Sequence, residues 1–280
     1  MWGKTDMDVR LVASDLDGTI IRADGTISAR TIEAFRHARE SGMHIVFVTG
    51  RPMRWLDPVR RAFGHLGTVI CSNGAVLYDL ESESLVSAAT IEPAALLEVR
   101  EIILRAEPTA TFAAETTRGL HLGTGFAEPG DTGRLGEIRA LDLGSADLHE
   151  AGVVKFLAKS RTRDSDAFMA AVAGSLAELV SVTHSAFDVS LLEMAHVDVN
   201  KSVALGAYAA ALGIGAGQVV AFGDMPNDLQ MLSWAGHGYA MASGHPSARL
   251  AAAHLAPGVE DDGVARILED ILAGRTPETR

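Results

Sequence analysis

Several short polar segments of this 280-residue chain carry acidic, amide or cationic side chains directly behind apolar, β-branched runs. Asp15 and Asp17 lie in Ser14-Asp15-Leu16-Asp17-Gly18, after Val9–Ala13. Thr49, Gly50 and Arg51 follow His44–Val48, and Asn73 follows Thr68–Cys71. Asp224, Asn227 and Asp228 follow Val219–Phe222, and Lys201 opens the helical segment that leads to that run. Brought together, three or four carboxylates repel one another unless a cation neutralises them. Oxygen donors of this kind suit a hard ion, and Mg2+ takes one or two carboxylates with waters and a substrate phosphate. A threonine hydroxyl and a lysine near a helix N-terminus favour an anion. Gly18 and Gly50 let backbone N–H groups approach it closely. The chemistry implied is a divalent cation beside a phosphate. One aspartate can then attack phosphorus, and a second can act as acid and then base.

Such residues converge only if the runs before them are strands of one open parallel sheet, whose ligands sit at the carboxyl ends. The pattern supports this. Val9–Ala13 reads as a strand, followed by a helix over Ala29–Glu40 with Ser28 as N-cap and Ser41-Gly42 as its end. Strands over His44–Val48 and Thr68–Cys71 flank a helix starting near Met53. Between the first strand and the first helix, Asp24-Gly25 inside Ile20–Ile27 is a hairpin-turn signal. The middle reads differently: a helix over Pro93–Arg105, strands near Thr109–Ala114, Gly119–Leu122 and Val153–Ala158, and a helix over Ser165–Leu179. Two further strands, Val180–His184 and Phe187–Leu192, are separated by Ser185-Ala186 as in a hairpin, so this part carries an antiparallel or mixed sheet. The parallel pattern resumes with a helix over Lys201–Leu212 and a strand over Val219–Phe222. It ends with a helix from Pro226 to Trp234, a strand near Tyr239–Ala242 and helices from Pro246 and over Gly263–Ala273. The organisation expected is an α/β Rossmann-like core, residues 1–83 and 194–280, with an inserted α+β domain over 84–193.

Composition limits the partners. Hydrophobic residues make up 48% of the chain and charged residues 21%, which is globular and not disordered. With 24 basic and 36 acidic side chains the formal net charge is 24 − 36 = −12, so nucleic acid and anionic membrane surfaces are not expected partners. The single cysteine, Cys71, excludes a disulfide framework and reads as a buried filler. No apolar run approaches the ~18 residues of a membrane span, and Met1–Arg10 lacks the apolar segment of a signal peptide. A cytoplasmic protein, monomeric or weakly dimeric, is expected. None of the ten histidines shows metal-ligand spacing; His44 and His65 read as structural or surface, and Trp55 as packing.

At this point the chain resembles a known group. Asp15-Leu16-Asp17-Gly18-Thr19, Val48-Thr49-Gly50-Arg51, Lys201 and Gly223-Asp224-Met225-Pro226-Asn227-Asp228 are similar, in order, to the four motifs of the haloacid dehalogenase (HAD) superfamily. The first of these, five residues long, alone arises by chance about 10⁻⁴ times in a chain of this length. The insertion between Asn73-Gly74 and Lys201 looks like the large α/β cap of the Cof-like sugar-phosphatase branch, and Asp261-Asp262-Gly263-Val264-Ala265 is also similar to that branch. The resemblance implies a Mg2+-dependent phosphatase acting on a sugar phosphate or related small phosphorylated metabolite through an aspartyl-phosphate. Asp15 would be nucleophile and metal ligand. Asp17 would be acid/base, its carbonyl also on the metal. Thr49, Gly50 and Lys201 would hold phosphoryl oxygens. Asp224 and Asp228 would serve the metal, Asn227 would orient Lys201 or phosphate, and Arg51 and Asn73 would face substrate. Ile20–Ile27 would be a mobile flap. Two departures stand out. Ser202 follows the lysine where glycine is common, and Ala242-Ser243-Gly244 replaces a usual Gly-Asn-Ala, which bears on substrate identity. A phosphosugar mutase of the same superfamily and a non-catalytic phosphometabolite-binding protein are the alternatives.

Overall fold

Short runs rich in Val, Ile and Phe favour strands that are buried on both faces. The computed structural model, which describes residues 8–127, 138–184, 189–275 and 277, places such strands at the centre. The first stretch of chain forms β1 (Leu11–Ser14), α1 (Ala29–Glu40), β2 (His44–Val48), α2 (Asp57–Phe63), β3 (Thr68–Cys71), β4 (Val76–Asp79) and β5 (Ser84–Ala88). The middle forms α3 (Pro93–Ala106), β6 (Thr111–Thr116), β7 (Gly119–Leu122), β8 (Ile138–Ala140), α4 (Ala146–Ala151), β9 (Val153–Lys159), α5 (Ser165–Leu176), β10 (Val180–Thr183) and β11 (Leu191–His196). The last stretch forms α6 (Lys201–Ala211), β12 (Val219–Gly223), α7 (Leu229–Trp234), β13 (His237–Met241), α8 (Pro246–Ala251), β14 (His254–Ala256) and α9 (Gly263–Leu272).

The chain divides into two units, Met1–Val86 with Lys201–Arg280, and Ser87–Asn200. In the first, eight strands run in the order β14-β13-β12-β1-β2-β3-β4-β5. The pairs from β14 to β3 are all parallel, and β3–β4 is antiparallel. The sheet is therefore Rossmann-like with an antiparallel extension that the sequence pattern did not show. Every residue of β1 is buried. One sheet face packs Leu11, Ala13, Val46, Val48 and Val219 against Leu205 and Ala209 of α6 and Met231 of α7. In α1, Ser28 Oγ accepts from the Thr31 N–H at 3.0 Å, and Phe35 of that helix meets Phe47 of β2 with ring centroids 5.4 Å apart.

The second unit holds a six-stranded sheet in the order β10-β11-β9-β6-β7-β8, antiparallel except for the β7–β8 pair. Phe112, Phe156, Leu192 and Met194 from its strands share a core with Leu96, Val99 and Ile103 of α3 and Phe168 and Val172 of α5. The junctions differ from the sequence-based 83/84 and 193/194. Strand β11 continues to His196, which is in register with Val180 of β10, so the return waits until Lys201. The Ser185-Ala186 turn lies outside the described residues, and so does most of Gly123–Gly136. Around Asp24-Gly25 the expected turn is present, with Arg22 N–H donating to Thr26 O and Gly25 N–H to Arg22 O, both at 2.9 Å. Among the described residues no helix is long and apolar enough to cross a membrane.

Candidate active site

The central strands end level with one another, and this brings the polar segments together. Ser14 of β1 is in register with Phe222 of β12 and Phe47 of β2, and Phe47 with Val69 of β3. The residues after these strands therefore share one edge of the sheet. Asp15 extends the ladder, its N–H donating to Phe222 O at 2.9 Å.

Lys201 reaches the same edge from α6. It lies on the stripe continued by Leu205 and Ala209, four and eight residues on, and those two pack on the sheet. Burying that stripe buries the lysine, whose side chain is 0% exposed. Its Nζ donates to Asp15 Oδ1 at 2.5 Å and to Asp228 Oδ1 at 2.7 Å. Asp228 spends its other oxygen locally: Oδ2 accepts from the N–H groups of Asp224 and Met225 at 2.9 and 3.0 Å. A β-carbon on Gly223 would fall 2.5 Å from the Asp228 Cγ, so this turn needs glycine. Asp224 is adjacent, with Thr19 Oγ1 donating to its Oδ1 at 3.4 Å. Gly18 has φ +74°, and a β-carbon there would stand 2.2 Å from Asp224 Oδ2. One oxygen each from Asp15, Asp224 and Asp228 lie within 4.8 Å of one another, and all three residues are buried.

Burying carboxylates together makes ionisation costly. Burial first, opposed by Lys201 and reinforced by Asp228 and Asp17, pushes Asp15 up to about 7. Burial, then the Asp15 and Asp228 charges, push Asp224 up to about 9. Burial acts to strip the proton from Lys201, but the carboxylates of Asp15 and Asp228 outweigh it and raise the ammonium's pKa. Fully ionised, the three carboxylates would outnumber the one lysine, and without a cation Asp15 and Asp224 hold their protons instead. Three hard oxygen donors converging in a buried, electron-rich place fit Mg2+ better than a thiolate- or imidazole-seeking ion. Asp15, Asp224 and Asp228 are the side chains that would hold it. Asn227 Oδ1, in the same loop, is a buried acceptor with no hydrogen-bond partner, which suits a group that donates to it.

The remaining expected residues fall into two sets. Thr49 is buried at the end of β2; its Oγ1 accepts from the Arg51 N–H at 3.0 Å, and Gly50 lies half-buried between them. Asp17 is not part of the buried cluster. Its side chain is 57% exposed and is gripped by Arg51, with Nε 2.7 Å from Oδ2 and the second guanidinium nitrogen 2.6 Å from Oδ1. Arg51 also donates to the Trp55 carbonyl at 3.2 Å, and Trp55 itself is 41% exposed, not packed in the core. Asn227 does not orient Lys201 through a direct bond: its amide donates to Asn73 Oδ1 at 3.0 Å. His65 is structural, with Nδ1 3.0 Å from Leu80 O. His184 lies in the second unit, 2.9 Å from Asp166. Thr19 and Ser72 were not singled out by sequence. Thr19 follows the acidic motif directly, and Ser72 opens the polar run after β3; those positions are the signals that could have found them.

Comparison with known proteins identifies the family. A family model for haloacid dehalogenase-like hydrolases matches residues 12–268. The chain belongs to that family of hydrolases. It is 26% identical over 270 residues to the 5-amino-6-(5-phospho-D-ribitylamino)uracil phosphatase YitU of Bacillus subtilis, covering 94% of this chain and 97% of that one. It is 28% identical over 248 residues to the HMP-PP phosphatase of Serratia proteamaculans, covering 85% of each. The solved structure of SMU.1108c from Streptococcus mutans shares the fold, with a TM-score of 0.81 at 20% identity over 95% of this chain and 99% of the other.

Proposed function

We propose that this chain is a Mg2+-dependent phosphatase that hydrolyses a small phosphorylated metabolite through an aspartyl-phosphate on Asp15. The observation that carries this reading is the buried Asp15–Lys201–Asp228 bridge, with Asp224 beside it at the ends of adjacent parallel strands. Family membership and relatives named as phosphatases of small phosphorylated compounds support it. Bound Mg2+ would supply positive charge to the buried carboxylates and to the phosphoryl oxygens.

The residues then divide the work. Lys201 fixes Asp15 with one carboxylate oxygen engaged, leaving the other to attack phosphorus. The phosphorus–oxygen ester bond breaks as the aspartyl-phosphate bond forms. The departing alkoxide takes a proton from Asp17. Water then gives a proton back to Asp17 and attacks phosphorus, releasing inorganic phosphate and the Asp15 carboxylate. Thr49 accepts from the Arg51 amide, so its own hydroxyl proton is available to a phosphoryl oxygen. Asp17 must leave Arg51 and take up a proton from solvent before it can serve the leaving group, so its grip by Arg51 belongs to the resting state.

The first test is phosphate release from a panel of phosphorylated metabolites, with Mg2+ and with EDTA. Metal-dependent release is expected, and Asp15→Asn should abolish it without loss of fold. Isomer formation without phosphate release would favour the mutase. Binding with no turnover across the panel, or normal turnover by Asp15→Asn, would overturn the mechanism.

A further inference from the structure

Ser72 and Asn73 are consecutive non-glycine residues in left-handed backbone, with φ of 51° and 57°. Both are buried, at 1% and 5% exposure. Side chains rarely tolerate this region, and residues held there are imposed by their surroundings, often at functional sites. Here the conformation turns two successive amides back onto one loop. Ser72 N–H donates to Arg51 O and Asn73 N–H to Thr49 O, each at 3.0 Å. Thr49 N–H in turn donates to Ile70 O at 2.8 Å, the last rung between β2 and β3. The Thr49–Arg51 loop is therefore clamped along its length by the residues that end β3.

The same turn reaches across to β12. Asn73 Oδ1 accepts from Asn227 Nδ2 at 3.0 Å, and both side chains are buried. Asn227 lies in the loop that carries Asp224 and Asp228. Asn73 thus bonds by its backbone to the loop bearing Thr49 and by its side chain to the loop bearing the acidic cluster. Its amide oxygen already accepts from Asn227.

We infer that Asn73 is a positioning residue. It locks the Thr49–Arg51 loop to the Asp224–Asp228 loop, so that the groups assigned to phosphoryl oxygens and to the cation keep a fixed separation. It acts through Thr49 and Asn227 and not by touching substrate, in contrast to the substrate contact that its sequence position suggests. The kinetic part of this inference rests on the phosphatase reading; the cation-binding part does not.

Asn73→Gly is the informative change. It keeps the backbone N–H, suits a φ of 57°, and deletes only the amide. Small displacements of positioned groups cost up to about a hundredfold in rate. With the backbone clamp retained, the kcat of Asn73→Gly should fall about tenfold with KM within twofold. Asn227→Ala should behave the same way, and the double variant should be no worse than the poorer single one. The affinity for Mg2+, read from its stabilisation of the protein against heat, should weaken threefold or more in Asn73→Gly. A raised KM at unchanged kcat would make Asn73 a substrate contact and overturn the lock. Additive losses in the double variant, or unaltered Mg2+ affinity, would also overturn it. If Asn73→Gly melts below the assay temperature, Asn227→Ala carries the same KM, kcat and Mg2+ criteria. If the wild type releases phosphate from no compound, the phosphatase reading fails, and the Mg2+ measurement alone decides the lock.

Discussion

Lys201→Met removes one buried charge and keeps most of the side chain's length. Its consequence can be worked out from the two carboxylates left behind. Asp228 retains its bonds from the amides of Asp224 and Met225. Asp15 loses the lysine that opposes its burial. Breaking a buried pair by deleting one partner costs about 3–5 kcal/mol. The cost has a ceiling, because Asp15 can take a proton instead. From an ordinary value of 3.8, that escape costs about 6 kcal/mol at pH 8 but under about 2 kcal/mol at pH 5. The variant should therefore lose about 3–5 kcal/mol at pH 8, or on the order of 10 °C in melting temperature for a domain of this size. The loss should shrink to under about 2 kcal/mol at pH 5. Mg2+ should narrow the gap at pH 8 by restoring positive charge to the cluster. Thermal and denaturant unfolding at both pH values, in EDTA and in Mg2+, measures all of this. A loss below about 1 kcal/mol at pH 8 without metal, or a loss that grows toward acid, would refute the electrostatic account of the cluster.

Two other outcomes follow from the same cluster. In the metal-free protein Asp15 and Asp224 titrate near 7 and 9, above their ordinary 3.8, so between those values the folded state holds more protons than the unfolded one. The contribution of these two groups to stability should be fullest below about pH 4 and should be lost as pH rises through 7 and 9, and Mg2+ binding should expel protons. Calorimetry at pH 7 in buffers of different ionisation enthalpy would detect the release, and a buffer-independent heat would contradict it. Gly18→Ala places a β-carbon 2.2 Å from Asp224 Oδ2 on a backbone with φ of +74°. It should cost more than about 1 kcal/mol in denaturant unfolding and weaken Mg2+ binding; a variant with unchanged stability would show that the loop relaxes freely.

The residues most legible in sequence were those whose local signals and tertiary fate coincide. Ser28 caps α1, and the β-branched runs of β2 and β3 leave no doubt about their bounds. The aspartates were legible because each follows such a strand. Elements whose burial carries no periodicity were not. All five residues of β5 are exposed, so this edge strand shows no alternation to read. The three-residue β8 and β14 and the six-residue α4 are too short to carry a pattern. The strand β11 begins at Leu191 and runs to His196, later than the apolar run from Phe187 suggests, because its register is set by β9 and β10. In the site, the partners were hidden, not the residues. That Arg51 grips Asp17 and that Asn227 meets Asn73 depends on contacts spanning 34 and 154 positions, which no local spacing encodes.

The two junctions of the inserted unit are unequal. The outgoing one falls within the exposed edge strand β5, after which nothing of the candidate site is encoded until the chain comes back. The returning one ends at Asn200, and the very next residue is Lys201. Grafting a different insertion onto this scaffold therefore has room for error on the way out and none on the way back. A joint that cuts one residue past Asn200 takes the lysine itself, and with it the bonds to Asp15 and Asp228. Exchange of insertions among such scaffolds, whether by recombination or by design, should tolerate ragged joints at the first crossing and require the second to fall before Lys201.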